Sequence, residues 1–132
     1  MATLTRPELA KSNKYWLSKH RFYELKHFCM QYQDWIMDGS DNSKHKIKLL
    51  KKVAYATDEI LGVYILRGIT SELSYEQLNA RERIPCCKDT YYDLYRKFFW
   101  ILAYAKENGG RIPRQETTTK ENYTAEGDNK QE

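Results

Sequence analysis

Between Ile84 and Trp100 the chain reads IPCCKDTYYDLYRKFFW, which sets two adjacent thiols, three cations and two carboxylates among six aromatic rings. Three kinds of chemistry could use such a segment. A zinc site needs about four well-spaced Cys or His ligands, and Cys86-Cys87 lacks the two-residue spacer that lets both sulfurs reach one ion. Adjacent cysteines are also poor disulfide partners for each other, and Cys29 cannot staple a framework alone. The cysteines therefore read as small apolar packing residues, and neither a metal nor a cofactor is expected. Acid-base or nucleophilic catalysis is unsupported as well: His20, His27 and His45 are scattered, and no HExxH, GxSxG or glycine-rich phosphate loop occurs. The chain is expected not to be an enzyme, so the segment reads either as the reading helix of a nucleic-acid-binding module or as the most heavily packed helix of a small core.

Projected at 100° per residue, Tyr91, Leu94, Tyr95, Phe98, Ile101, Leu102 and Ala105 fall on one apolar stripe. Asp89, Tyr92, Asp93, Arg96 and Trp100 fall opposite, flanked by Lys88, Thr90 and Lys97. Lys88, Thr90 and Tyr92 occupy the first turns of this helix, where a DNA-reading helix meets bases and phosphates, while Arg96 and Lys97 suit phosphates further along. Asp89 complements the helix dipole and Asp93 has Lys97 at i+4, although both acids oppose a phosphate backbone. An outward Trp100 points to packing against the N-terminal helices or to contact with a partner protein.

The elements that position these residues are all helical. The spacing predicts an amphipathic helix over residues 19–37, capped by Ser18, with Phe22, Leu25, Phe28, Cys29, Tyr32, Trp35 and Ile36 inward. Asp38-Gly39-Ser40-Asp41-Asn42 stops it. Ser43 is the expected cap of a third segment that buries Ile47, Leu50, Val53 and Ala54 and turns Lys44, Lys46, Lys48, Lys51 and Lys52 outward. Thr57 or Asp58 restarts a helix that buries Ile60, Leu61, Tyr64, Ile65 and Leu66; Gly62 permits a close helix crossing and Gly68 marks the end. Ser74-Tyr75-Glu76-Gln77 is a capping box opening a short helix. Pro85 then forces a break before a long helix from Lys88 to about Asn108, closed by Gly109-Gly110. Nearer the N-terminus, Thr5-Arg6-Pro7-Glu8 carries the signals of a short first helix.

The fold class is therefore all-α, a small bundle of about five or six helices ending in a helix-turn-helix. At 132 residues, 41% hydrophobic and 14% aromatic, the chain is long enough for one core. Residues 1–110 are expected to form a single helical domain, with a basic N-terminal half over 5–56 and the helix-turn-helix half over 57–110. Residues 111–132 read as a disordered polar tail. Net charge is +4 and uneven: residues 1–52 hold 11 Lys/Arg against 5 Asp/Glu, and residues 53–132 hold 11 against 13. The positive field of the first half suits nucleic acid or an acidic protein surface. No apolar block of signal or membrane-spanning length is present, so a cytoplasmic protein without membrane contact is expected.

The stretches YWLSKHRFYELKHFCMQYQDW, residues 15–35, and LSYEQLNARERIPCCKDTYYDLYRKFFWIL, residues 73–102, resemble small proteins of phages and prophages of Firmicutes. Those proteins are grouped with late-gene transcription regulators of the RinA and ArpU type and carry a helix-turn-helix similar to region 4 of sigma factors. The resemblance implies a DNA-binding transcriptional regulator working in the bacterial host cell, with residues 74–82 as the supporting helix and residues 88–96 as the reading helix. Its reading helix presents fewer Arg and more Asp than sigma-like modules do. The expected partner is double-stranded DNA, held by Lys44, Lys46, Lys48, Lys51 and Lys52 and read or positioned by Lys88, Thr90, Tyr92, Arg96 and Lys97. RNA polymerase or another host protein is the further partner implied, and a homodimer stays open. The alternatives on the same scaffold are a phage-encoded inhibitor or adaptor of a host polymerase or defence nuclease, contacted through Trp100, and a small DNA-packaging subunit.

Overall fold

A computed structural model describes residues 15–113 of the chain. The described residues form six helices and no strand: α1 Lys19–Cys29, α2 Tyr32–Asp38, α3 Asp41–Thr57, α4 Gly62–Thr70, α5 Tyr75–Glu82 and α6 Lys88–Glu107. The fold is all-α. The expected helix near Thr5 and the polar tail from residue 114 lie outside the described residues.

Ser18 caps α1 as expected, its hydroxyl accepting from the Arg21 N–H at 3.2 Å. The single helix expected over 19–37 is instead two. The chain bends at Met30 and Gln31, and the reason lies in the side chains. Phe28 and Trp35, seven residues apart, would be separated by about 10 Å of rise on a straight helix. The bend brings their rings to 4.9 Å and buries Trp35. Ile36, expected in the core, is left half exposed.

Gly39 adopts a left-handed backbone that ends α2. The cap of α3 is Ser40, not Ser43: the Ser40 hydroxyl accepts from the Ser43 N–H at 3.2 Å. Ser43 is buried in the first turn, where its hydroxyl donates to the Asp38 carboxylate at 2.7 Å. Hydrogen bonds from Ser40 and Ser43 hold the Asp38 carboxyl below its usual range. Leu50, Val53 and Ala54 are buried and Ile47 is partly so.

Thr57 ends α3, its hydroxyl donating to the Val53 carbonyl, and Asp58 makes the turn into α4 by accepting from the Ile60 and Leu61 N–H groups at 2.9 and 2.7 Å. Ile65 and Leu66 are buried, whereas Ile60, expected inward, protrudes from that turn. Gly62 does allow a close crossing: a Cβ there would lie 1.9 Å from the Ala54 carbonyl oxygen. Gly68 does not end α4, which runs on to Thr70; it is a buried contact point where a Cβ would meet the Tyr91 hydroxyl at 2.2 Å.

Helix α6 is the axis of the core and packs against α1, α3 and α4. Its expected stripe is buried except for Leu94, which is partly covered, and the stripe is wider than expected, taking in Tyr92, Phe99 and Ala103. Three elements press on this one helix, so its apolar face exceeds that of a surface helix. Phe22 of α1 meets Phe99 at 5.0 Å, and Phe99 meets Tyr95 at 5.2 Å. Beyond α6, Gly109 and Gly110 turn the chain with positive φ, and the Gly110 N–H donates to the Ala105 carbonyl at 2.7 Å. The first residues of the expected tail return to the body: Ile112 packs on the core and Pro113 is buried.

Candidate nucleic-acid interface

The segment from Ser74 to the start of α6 is built from local signals that agree with one another. The Ser74 hydroxyl accepts from the Gln77 N–H at 3.1 Å and the Gln77 side chain accepts from the Ser74 N–H at 2.9 Å, closing the capping box. Asn79 organises the exit of α5: its carbonyl accepts from the Arg83 N–H at 2.9 Å and its side chain from the Ile84 N–H at 2.8 Å. Arg83 holds a left-handed backbone, φ 56°, at the point where such turns often carry glycine. Ile84 is buried and anchors the turn.

Tyr75 ties the two helices together. Its ring meets Tyr91 edge-on at 5.3 Å, its hydroxyl donates to the Cys86 carbonyl at 2.7 Å, and its N–H donates to the Tyr92 hydroxyl at 3.1 Å. These contacts and the Lys88–Glu76 ion pair join α5, the turn and the N-terminal end of α6.

That arrangement corrects one expected contact. Tyr92 falls on the outward face by projection, yet it is buried, and its hydroxyl is spent on the first N–H of α5. Projection treats α6 alone, and α5 folds back over it. The other residues of the expected surface are exposed or half-buried but engaged. Lys88 pairs with Glu76 of α5 at 2.5 Å, a contact that holds the Glu76 carboxyl below its usual range and raises the Lys88 ammonium. Thr90 shares a 3.3 Å hydrogen bond with the Cys87 thiol, which lies at the N-terminus of α6; that bond lowers the thiol from its ordinary value. Arg96 is half-buried and pairs with Asp93, one turn back. Lys97 is also half-buried. Asp89 is exposed at the helix start. Trp100 is half-buried, edge-on to Tyr15 at 5.5 Å, so packing within the chain takes up at least part of its surface.

Two of the α3 lysines, Lys46 and Lys52, lie away from this tip. The Lys52 ammonium donates to the Gly110 carbonyl at 3.0 Å, just past the far end of α6, about 30 Å of helical rise from Lys88. Lys46 lies over the Trp35 ring at 5.6 Å, and Lys106 of α6 sits 3.6 Å from the Phe28 ring centroid. Burial and the neighbouring Arg21 lower the Lys106 ammonium. Lys44, Lys48 and Lys51 are exposed. Sequence reasoning passed over Arg83, an exposed cation held at the turn by its left-handed backbone. Its position beside Ile84-Pro85, where the helix must break, was the signal that marked it.

Among the described residues no cluster of His, Cys, Asp and Glu has the makings of a metal site, and no helix is long and apolar enough to cross a membrane. Comparison with protein families, with curated proteins and with solved structures found no match.

Proposed function

We propose that this chain is a phage-type transcriptional regulator that binds double-stranded DNA through the α5–turn–α6 unit. The observation that carries the reading is the locked geometry of that unit: a complete capping box, a left-handed turn residue with a buried anchor, and Tyr75 clamping α5 across the first turns of α6. It supports α5 as the supporting helix and Lys88, Asp89 and Thr90 as the residues carried to the groove. Asp89 is an acceptor suited to cytosine N4, and Thr90 donates or accepts at either strand. Arg83, at the turn, suits a phosphate. The Lys88–Glu76 pair does not stand in the way: it lies in solvent, where such pairs are weak, so Lys88 can exchange it for phosphate. The α3 lysines, two of which, Lys46 and Lys52, lie away from this tip, supply long-range attraction rather than base contacts.

Duplex binding followed by fluorescence anisotropy tests this. Affinity is expected to fall with added salt between about 50 and 200 mM, and Arg83→Ala with Lys88→Ala to weaken binding about tenfold and flatten the salt dependence. No binding at the lower salt, or no change in the double variant, rejects the reading. The exposed Asp89 and Asp93 favour a second reading, an inhibitor or adaptor that engages a host nucleic-acid enzyme through this same surface. Capture of one such enzyme, resistant to nuclease and abolished by Asp89→Lys, would favour it.

A further inference from the structure

Where α3 ends and α4 begins, Tyr55, Ile60 and Val63 are 64%, 71% and 48% exposed. One exposed apolar side chain is ordinary; three within nine residues form a patch of the kind that marks an interaction site. Beside the patch lies a groove of about 480 Å³, floored by Ala54 and Leu66 and walled by Tyr32 and Tyr55. The face thus carries protruding apolar side chains and an apolar hollow together. A two-fold contact between identical surfaces requires this, because each copy must supply both the projection and the recess that receives it.

The charges around the groove narrow the occupant further. Four charged residues line it: Lys51, Asp58, Glu59 and Arg67. Asp58 is occupied in the turn and Arg67 pairs with Glu82 of α5. Lys51 and Glu59 remain, and among the described residues neither has an ion-pair partner. Both line the groove with Tyr55: Lys51 lies about one helical turn before it in α3, and Glu59 lies in the turn that follows the end of that helix. A two-fold axis passing through the groove between these two charges would set Lys51 of one copy against Glu59 of the other, twice. A partner of a single charge sign would meet one of these residues with its own sign. From this we infer that the α3–α4 face is a dimer interface between two copies of the chain, closed by the apolar patch and a reciprocal Lys51–Glu59 pair. Lys51 then faces the second copy rather than a phosphate.

Sedimentation velocity of the full chain, across two decades of protein concentration and without DNA, tests the inference independently of DNA binding. The expected result is a concentration-dependent species of twice the 15.8 kDa chain mass. Tyr55→Lys should return it to the monomer, and Lys51→Glu should weaken it by at least about tenfold. Lys51→Glu combined with Glu59→Lys should restore it. Met37→Lys, at an 86% exposed apolar residue outside the groove lining, should change nothing. All four substitutions fall on exposed side chains, and far-UV circular dichroism checks that helix content is kept. A monomer at every concentration overturns the inference and leaves the face to another protein or to the chain's own terminal residues. So does a dimer that survives Tyr55→Lys, that Met37→Lys dissociates, or that the charge exchange fails to restore.

Discussion

Gly68 stands inside α4, where alanine would ordinarily raise helix stability by about 1 kcal/mol. Here a Cβ would lie 2.2 Å from the Tyr91 hydroxyl oxygen but 3.5 Å from the ring carbon that bears it, so the obstruction is one atom. That same hydroxyl is buried and finds no hydrogen-bond partner among the described residues. A buried hydroxyl in that state costs about 1–3 kcal/mol of lost hydration. Two outcomes are therefore expected in urea denaturation. Tyr91→Phe should be neutral or stabilising. Gly68→Ala should cost about 1–3 kcal/mol in the natural chain, and little or nothing in the Tyr91→Phe background, where the clash has gone and the propensity gain remains. Additive effects of the two substitutions would show that the hydroxyl is not the obstacle.

Among the elements, Gly62 has no such escape. The atom in the way is the Ala54 carbonyl, part of the α3 backbone, and relief would require α3 and α4 to part. Gly62→Ala should cost about 3 kcal/mol or more, with the denaturation midpoint lowered and the slope unchanged, and no second-site substitution of a neighbouring side chain should recover it. The close approach at Gly62 was legible because glycine weakens a helix, and at an otherwise apolar helical position the gain that offsets this is room for a neighbouring backbone. Helix existence, the Ser18 cap, the Ser74–Gln77 box and the break at Pro85 were legible because each is set by residues within four positions of one another. The bend at Met30 was not, because no glycine or proline marks it and its cause is the later burial of Trp35. The choice of Ser40 over Ser43 was decided by Asp38, which takes the Ser43 hydroxyl.

For the whole molecule the same division holds between what is local and what depends on assembly. The candidate surface lost Tyr92 because α5 returns over it, and Lys52 of α3 is separated from α6's first turn because it reaches the opposite end of that helix. Both are matters of how helices are placed in three dimensions, which periodicity does not encode. The placement also concentrates ionisable groups in the core, with a consequence that acts on the entire fold. Burial raises Tyr91 and Tyr95 from their ordinary value of 10.0 and Cys29 from 9.0. Below about pH 8 all three are neutral in both the folded and the unfolded chain, so their burial makes no pH-dependent contribution to stability there. Above that, the unfolded chain ionises first and releases protons that the folded chain keeps, and stability falls as pH rises. Each group contributes up to about 1.4 kcal/mol per pH unit between its unfolded and folded values. Thermal unfolding should accordingly show a nearly constant midpoint from about pH 7 to about pH 8 as regards these groups, then a steepening decline towards about pH 11. In Tyr95→Phe one of the three contributions is gone, so the decline should be shallower even if the variant starts from a different midpoint. An unchanged slope in that variant would place the alkaline loss elsewhere than in this aromatic core.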